Sequence, residues 1–429
     1  MNAQTIKTIL GMVVALLTTP MPGQPASAAY RVAQRDGIWW FIAPSGAPQL
    51  SIGVDAIRFE GDRVHGTGPS PYLENVSKKF ATRQAWMDAT VQRLQEWGFN
   101  TVGAWSGPEL NQSGLAYSLI LDFAAKSGAD WQHGHPVDVY DPRFEATATR
   151  IAAAECSKYA SDAKLLGYYS DNELRWGPDW RGKENMLQMY LALPSPAPGR
   201  IKAVEFLRAR YGNDVRKLDA AWETSAGSFD EVATGQGARF DADSDAFLAQ
   251  VATRYFEVAA RAIRMVDSNH LYLGARFSGR PPDAVLRAAK VADVISINIY
   301  DRHPRPLIEH VYEVTGRPVL ITEFAFRADD SGLPNSRGAG PRVPDQKARA
   351  RAYQEYVMEL ASLPQALGYH WFKWSDEPKE GRFDGEDSNY GLVNERDEPY
   401  TDFVNAIAAA SAESVAAHWR ANRAAPAAK

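Results

Sequence analysis

Two glutamates stand out because each closely follows a short apolar run. Leu165-Leu166-Gly167-Tyr168-Tyr169 leads through Ser170-Asp171-Asn172 to Glu173, and Pro318-Val319-Leu320-Ile321-Thr322 leads directly to Glu323. A carboxylate at the end of a buried strand is costly unless chemistry or a salt bridge compensates. Two facing carboxylates are what cleavage of a glycosidic bond requires. One is protonated to help the leaving oxygen depart, and the other is ionised to attack the anomeric carbon. Asn172, beside Glu173, suits a hydrogen bond to a sugar 2-hydroxyl. The competing interpretation is that each glutamate only pairs with an arginine, for example Arg175 or Arg276. An Asn-Glu after one strand together with a Glu after another favours chemistry over structure.

The elements that must position these groups form an alternation. Short apolar runs at 50–54, 101–105, 115–121, 165–169, 271–275, 294–299, 318–322 and 366–372 read as strands. Amphipathic stretches at 83–97, 142–158, 247–266, 283–290, 307–314 and 345–360, with a final Ala-rich stretch, read as helices. Gly98 closes the first of these and Pro142 opens the second. This is the signature of a parallel sheet with helical crossovers. Eight strands predict an α/β fold, the closed (β/α)8 barrel (TIM barrel). Trp39–Ile42, Pro44-Ser45-Gly46 and Leu50–Val54 read as strand, turn, strand, an N-terminal β-hairpin capping the barrel's bottom. The mostly helical 181–239 region reads as an extended insertion between the fourth strand and its helix. Glu173 and Glu323 then face one central cavity from strands four and seven.

This arrangement resembles the clan A glycoside hydrolases, retaining enzymes on a (β/α)8 barrel. The resemblance implies that Glu173 is the acid/base and Glu323 the nucleophile. Closer motifs are similar to those of the agarase-related enzymes of glycoside hydrolase family 50. They are Trp97-Gly98-Phe99-Asn100-Thr101, the Gly167–Leu174 stretch, Ser296-Ile297-Asn298-Ile299-Tyr300 and Gly368-Tyr369-His370-Trp371-Phe372. The resemblance spans about residues 37 to 405.

Position nominates supporting residues. Tyr300, just past strand six, can hydrogen-bond the nucleophile and hold it ionised. Trp371 and Trp374, at or beyond the end of strand eight, offer indole faces for a sugar ring, with core packing as the alternative. Trp105 and Trp176 are weaker platforms. His370 and Asn298 are candidate donors to hydroxyls, and Arg276, after strand five, is a candidate for substrate contact or for neutralising a carboxylate.

Other chemistries find no support. A net charge of −5 offers no basic excess for nucleic acid. The lone Cys156 excludes an intrachain disulfide and a thiolate cluster. His133-Gly134-His135, with Asp138 and Asp141, lacks a His-Glu-x-x-His partner and reads as a loop rather than a metal site. Phe383-Asp384-Gly385-Glu386-Asp387 lacks EF-hand spacing and reads as a solvated turn. Nucleotide-binding and serine-hydrolase fingerprints are missing, so no cofactor is expected.

At the N-terminus, Lys7, the apolar run Ile9–Leu17 and Ala26-Ser27-Ala28 match a signal peptide over 1–28. The catalytic barrel is expected over 29–405 and an Ala-rich C-terminal helix and tail over 406–429. The sequence therefore predicts an exported, periplasmic or secreted retaining β-glycosidase. Its partner is a β-linked carbohydrate, with agarose, another β-galactan and a β-glucan all open. A transglycosylase, an exopolysaccharide-processing enzyme with the same glutamates and a non-catalytic glycan-binding barrel are the alternatives.

Overall fold

The computed structural model describes residues 29–421. The segment read as a signal peptide and the last eight residues of the tail lie outside the described residues.

Nine short parallel strands form one curled sheet. In chain order they are Ser51–Val54, Thr101–Val102, Ala116–Ile120, Leu165–Tyr169, Leu271–Tyr272, Phe277–Ser278, Ile295–Asn298, Val319–Phe324 and Ala366–Trp371. Two of them are halves of a single barrel strand. Leu271–Tyr272 pairs with the fourth strand, while Phe277–Ser278 pairs with the sixth. Between the halves, Leu273 N donates to Tyr168 O (2.8 Å) and Arg276 N to Asp171 O (3.0 Å), while Gly279 N donates to Asn298 O (3.0 Å). The fifth strand thus bonds to its neighbours on both sides, and the eight-stranded barrel closes. It was read as one run over 271–275. Gly274, at φ +80°, breaks it.

The helices fall where the spacing places them, among them Arg83–Glu96, Pro142–Tyr159, Arg305–Thr315 and Gln346–Ala361. Asp141 caps the second through its side chain to Arg143 N, with Pro142 at its first position. The insertion after strand four carries helices at Met186–Leu191, Pro198–Arg210 and Val215–Trp222 before the long Gly237–Val266. Its helices are fastened to one buried acid, Asp243, which takes Trp222 Nε1 (2.9 Å), Tyr211 OH and Arg210 Nε. The last helix is Thr401–His418.

The N-terminal hairpin differs from the one expected: Ile38–Ile42 pairs with Pro48–Gln49, not with the 50–54 run, which is taken up by the barrel sheet. Arg31–Arg35 adds a third strand to Ile38–Ile42 and Pro48–Gln49. From this sheet Phe41 reaches into a buried cluster with Leu166, Leu271, Val294, Leu320 and Leu367 from the barrel strands. The bottom of the barrel is therefore apolar and sealed, which leaves the opposite face for chemistry.

Strands one and eight approach very closely at Ser51 and Gly368. A Cβ on Gly368 (φ +139°) would lie 2.0 Å from Ser51 O. Gly368→Ala is expected to destabilise the barrel by about 2–4 kcal/mol, the sum of backbone strain and overpacking. The midpoint of urea unfolding measures this, and an unchanged midpoint would show that the two strands separate freely.

Candidate active site

Glu173 and Glu323 open onto one cleft of about 360 Å³ at the top of the barrel. Glu173 has a left-handed backbone (φ +47°), and its N–H is held by Arg276 O at 2.7 Å. Its Oε1 accepts from Asn298 Nδ2 (3.0 Å) and its Oε2 from Trp131 Nε1 (3.3 Å). Asn298 is oriented in turn by Thr322 Oγ1, which donates to its Oδ1 at 2.7 Å.

Glu323 has different company. Tyr300 OH donates to its Oε2 at 2.6 Å, and Arg276 Nη1 lies 2.9 Å from Oε1 as an ion pair. Arg276 has no exposed surface. It also bonds Asp55 Oδ2, Thr322 O (2.7 Å) and Asn172 Oδ1 (3.0 Å), and its guanidinium lies 4.3 Å from the Trp105 ring centroid. Burial pushes the Glu323 carboxyl up to about 8, helped by Glu173 and Asp55 and opposed by Arg276 and Tyr300. Arg175, the other arginine considered, turns away from Glu173 to Glu184 (3.0 Å) and Gly177 O (2.9 Å).

Asn172 lines the cleft, with its Oδ1 committed to Arg276 and Asn298. Trp105 and Trp176 also line it. Arg276, Asn298 and Tyr300, also expected as substrate contacts, bond the two glutamates and do not line the cleft, and three further expected contacts are not brought there. Trp371 and Trp374 are both 0% exposed. Trp371 packs between Phe324 and Phe403, and Trp374 stacks on Trp97. His370 is 1% exposed and bonds Ser51 Oγ at 2.8 Å. Phe372, one residue past the end of strand eight, does reach the cleft.

Residues not singled out complete the walls. Trp131, from the loop after strand three, carries the indole that meets Glu173. Its neighbour His133 pairs with Asp130 at 2.6 Å. The 383–387 stretch is no solvated turn. Arg382 ties it inward through Glu377 (3.1 Å), Asp384 (2.8 Å) and Glu386 (2.7 Å), and Phe383 faces the cleft. The charge-rich composition of this segment hid a salt-bridged wall.

The two buried carboxylates stand at the ends of the fourth and seventh strands of an α/β barrel. The chain is related to beta-agarases, and its fold is that of agarases of glycoside hydrolase family 50. It is 30% identical to beta-agarase A of Vibrio sp. (strain JT0107), an alignment covering 85% of this chain and 44% of that protein. Beta-agarase B of the same strain is 29% identical, covering 78% and 37%. The chain therefore spans less than half the length of these curated relatives. Among solved structures, an exo-beta-agarase superposes with a TM-score of 0.80 at 23% identity, covering 97% of this chain and 71% of that one. The crystal structure of another agarase gives 0.77 at 25% identity, covering 97% and 70%. No protein-family model matches.

Ionising Glu323 in this site costs the fold stability. Its raised carboxyl keeps that cost small below about pH 4.5 and makes it grow as pH rises toward 8. Glu323→Gln is therefore expected to melt higher than wild type at pH 8, by a few degrees, with the gain shrinking toward pH 4.5. Thermal melts across that range test the sign. A gain that is largest at low pH would mean that the carboxylate is stabilised, not strained.

Proposed function

We propose that the protein is an exported retaining β-glycoside hydrolase. It acts on a β-linked polysaccharide or oligosaccharide, a β-galactan such as agarose, by double displacement. The observation that carries this reading is the unequal support of two carboxyls across one cleft. Glu323 faces the Arg276 cation and the Tyr300 hydroxyl, whereas Glu173 faces only the neutral N–H groups of Asn298 and Trp131. A full positive charge favours an ionised neighbour more than amide or indole dipoles do. Arg276 pulls Glu323 toward its ionised form, against the burial that raises its carboxyl.

In the first step a Glu323 oxygen bonds to the anomeric carbon as the glycosidic C–O bond breaks. The leaving oxygen takes the proton of Glu173. In the second step the Glu173 carboxylate takes a proton from water. The water oxygen displaces Glu323, giving a sugar of retained configuration and restoring both groups. Asn172 suits the sugar 2-hydroxyl, Tyr300 and Arg276 hold the nucleophile, and Trp105 presents its ring to the cleft. The agarases among the relatives support a galactan substrate. The signal-like segment 1–28 supports export, with residues 29–405 as the catalytic unit and 406–429 as its C-terminal appendage.

Sugar release from agarose, other β-galactans and β-glucans tests the reading. Wild type is expected to release product from one of them. Glu173→Gln should lose about 10²–10⁴-fold in rate, and Glu323→Gln should be inactive. Azide added to Glu323→Ala should yield a glycosyl azide of inverted configuration, and azide added to Glu173→Ala one of retained configuration. First-formed products of inverted configuration from wild type would sink double displacement.

A further inference from the structure

Of the carboxylates on the cleft wall that the proposed reaction does not use, one stands apart. Asp122 follows strand three, on the same face of the barrel as Glu173 and Glu323, and lines the cleft. Its backbone is left-handed, at φ +57°. The other acids on the cleft wall have donors. Asp62 has Lys373 and Arg58, Asp130 has His133, and Asp171 has Ala124 N (2.8 Å) and Tyr255 OH (2.5 Å). Glu173 and Glu323 have those described above. Among the described residues none donates a hydrogen bond to the Asp122 carboxylate. The nearest cations are engaged elsewhere, Lys126 on Leu121 O (2.8 Å) and Arg276 on its own carboxylates. Burial raises the Asp122 carboxyl above the ordinary range, against the pull of both cations.

A half-buried carboxylate without donors costs free energy, so the fold gains nothing from it. A sugar supplies the missing groups. Two neighbouring hydroxyls match the two oxygens of a carboxylate, and such charge-assisted bonds are strong. The walls nearby in sequence are apolar, with Ala125, Ala129, Val137 and Val139 lining the same cleft. They suit the C–H face of the ring whose hydroxyl edge meets Asp122.

We propose that Asp122 is a substrate-binding residue that accepts hydrogen bonds from a pair of hydroxyls on a sugar unit beside the scissile bond. It thereby selects sugars that present such a pair. This rests on the glycosidase reading above and deepens it.

Asp122→Asn removes the charge but keeps a residue type that tolerates the left-handed backbone. It is expected to lower kcat/KM at least about tenfold, and Asp122→Ala about a hundredfold. The melting temperature of Asp122→Asn should stay level or rise, because a poorly solvated charge is gone. Oligosaccharide affinity, measured by calorimetry on inactive Glu323→Gln and on Glu323→Gln/Asp122→Asn, should fall in the double variant. If wild type turns over while Asp122→Asn keeps kcat/KM and affinity within about twofold, the inference fails and the glycosidase reading stands. A drop in melting temperature alongside the lost activity would assign Asp122 to the fold and also overturn the inference. A wild type that neither cleaves nor binds any glycan on the panel removes both.

Discussion

Arg276 is a guanidinium taken wholly out of water, and the arrangement of the cleft follows from how its charge is met. Burying such an ion costs several kcal/mol unless opposite charge and acceptors surround it. Here Asp55 comes from strand one, Asn172 from strand four, and Thr322 O and Glu323 from strand seven. The rings of Trp105 and Tyr169 flank the cation. One side chain therefore ties together three strands that lie apart around the barrel, and it does so from the break in strand five. Removing it would leave two buried carboxylates facing each other without a counter-charge.

The same break explains why Glu173 sits where it does. Strand five keeps its bonds to the strand-four side through the turn at Gly274, and Arg276 O accepts the Glu173 N–H. Strand six then supplies Asn298 and Tyr300, which touch one carboxylate each. Support for the pair is thus divided, with Asn298 on a backbone fixed by sheet hydrogen bonds, Arg276 and Tyr300 close beside strands, and Trp131 on a loop. A backbone so fixed positions its side chains more rigidly than a loop would.

Much of this was legible in the sequence because it rests on patterns with a physical period. The eight apolar runs place the barrel strands to within a few residues, and the two glutamates appear because polar groups rarely end such runs. Tyr300 and Arg276 were found by the same logic. Other features carry no periodic signal. Trp131 lies in a loop whose fold depends on tertiary contacts, and Arg31–Arg35 is a short strand with little buried surface. Trp371, Trp374 and His370 were misjudged because residue type alone does not tell which side chains around the end of the last strand are covered by neighbouring elements. The 383–387 loop looked solvated because its acids are compensated by Arg382, which a linear reading does not weigh. Asp122 was passed over for the opposite reason, since nothing in its sequence neighbourhood marks a carboxylate left without donors.

The sheet beneath the barrel also joins the first and last described elements. The two ring nitrogens of His418 lie 3.0 Å from Trp39 O and Ala361 O, with one of them donating, and Trp40 packs against Trp419 at 4.4 Å. These contacts gather at the apolar bottom, on the barrel face opposite the carboxylates. Attachment to a bead, a cell surface or another module through the region of either element would therefore leave the mouth of the cleft pointing outward.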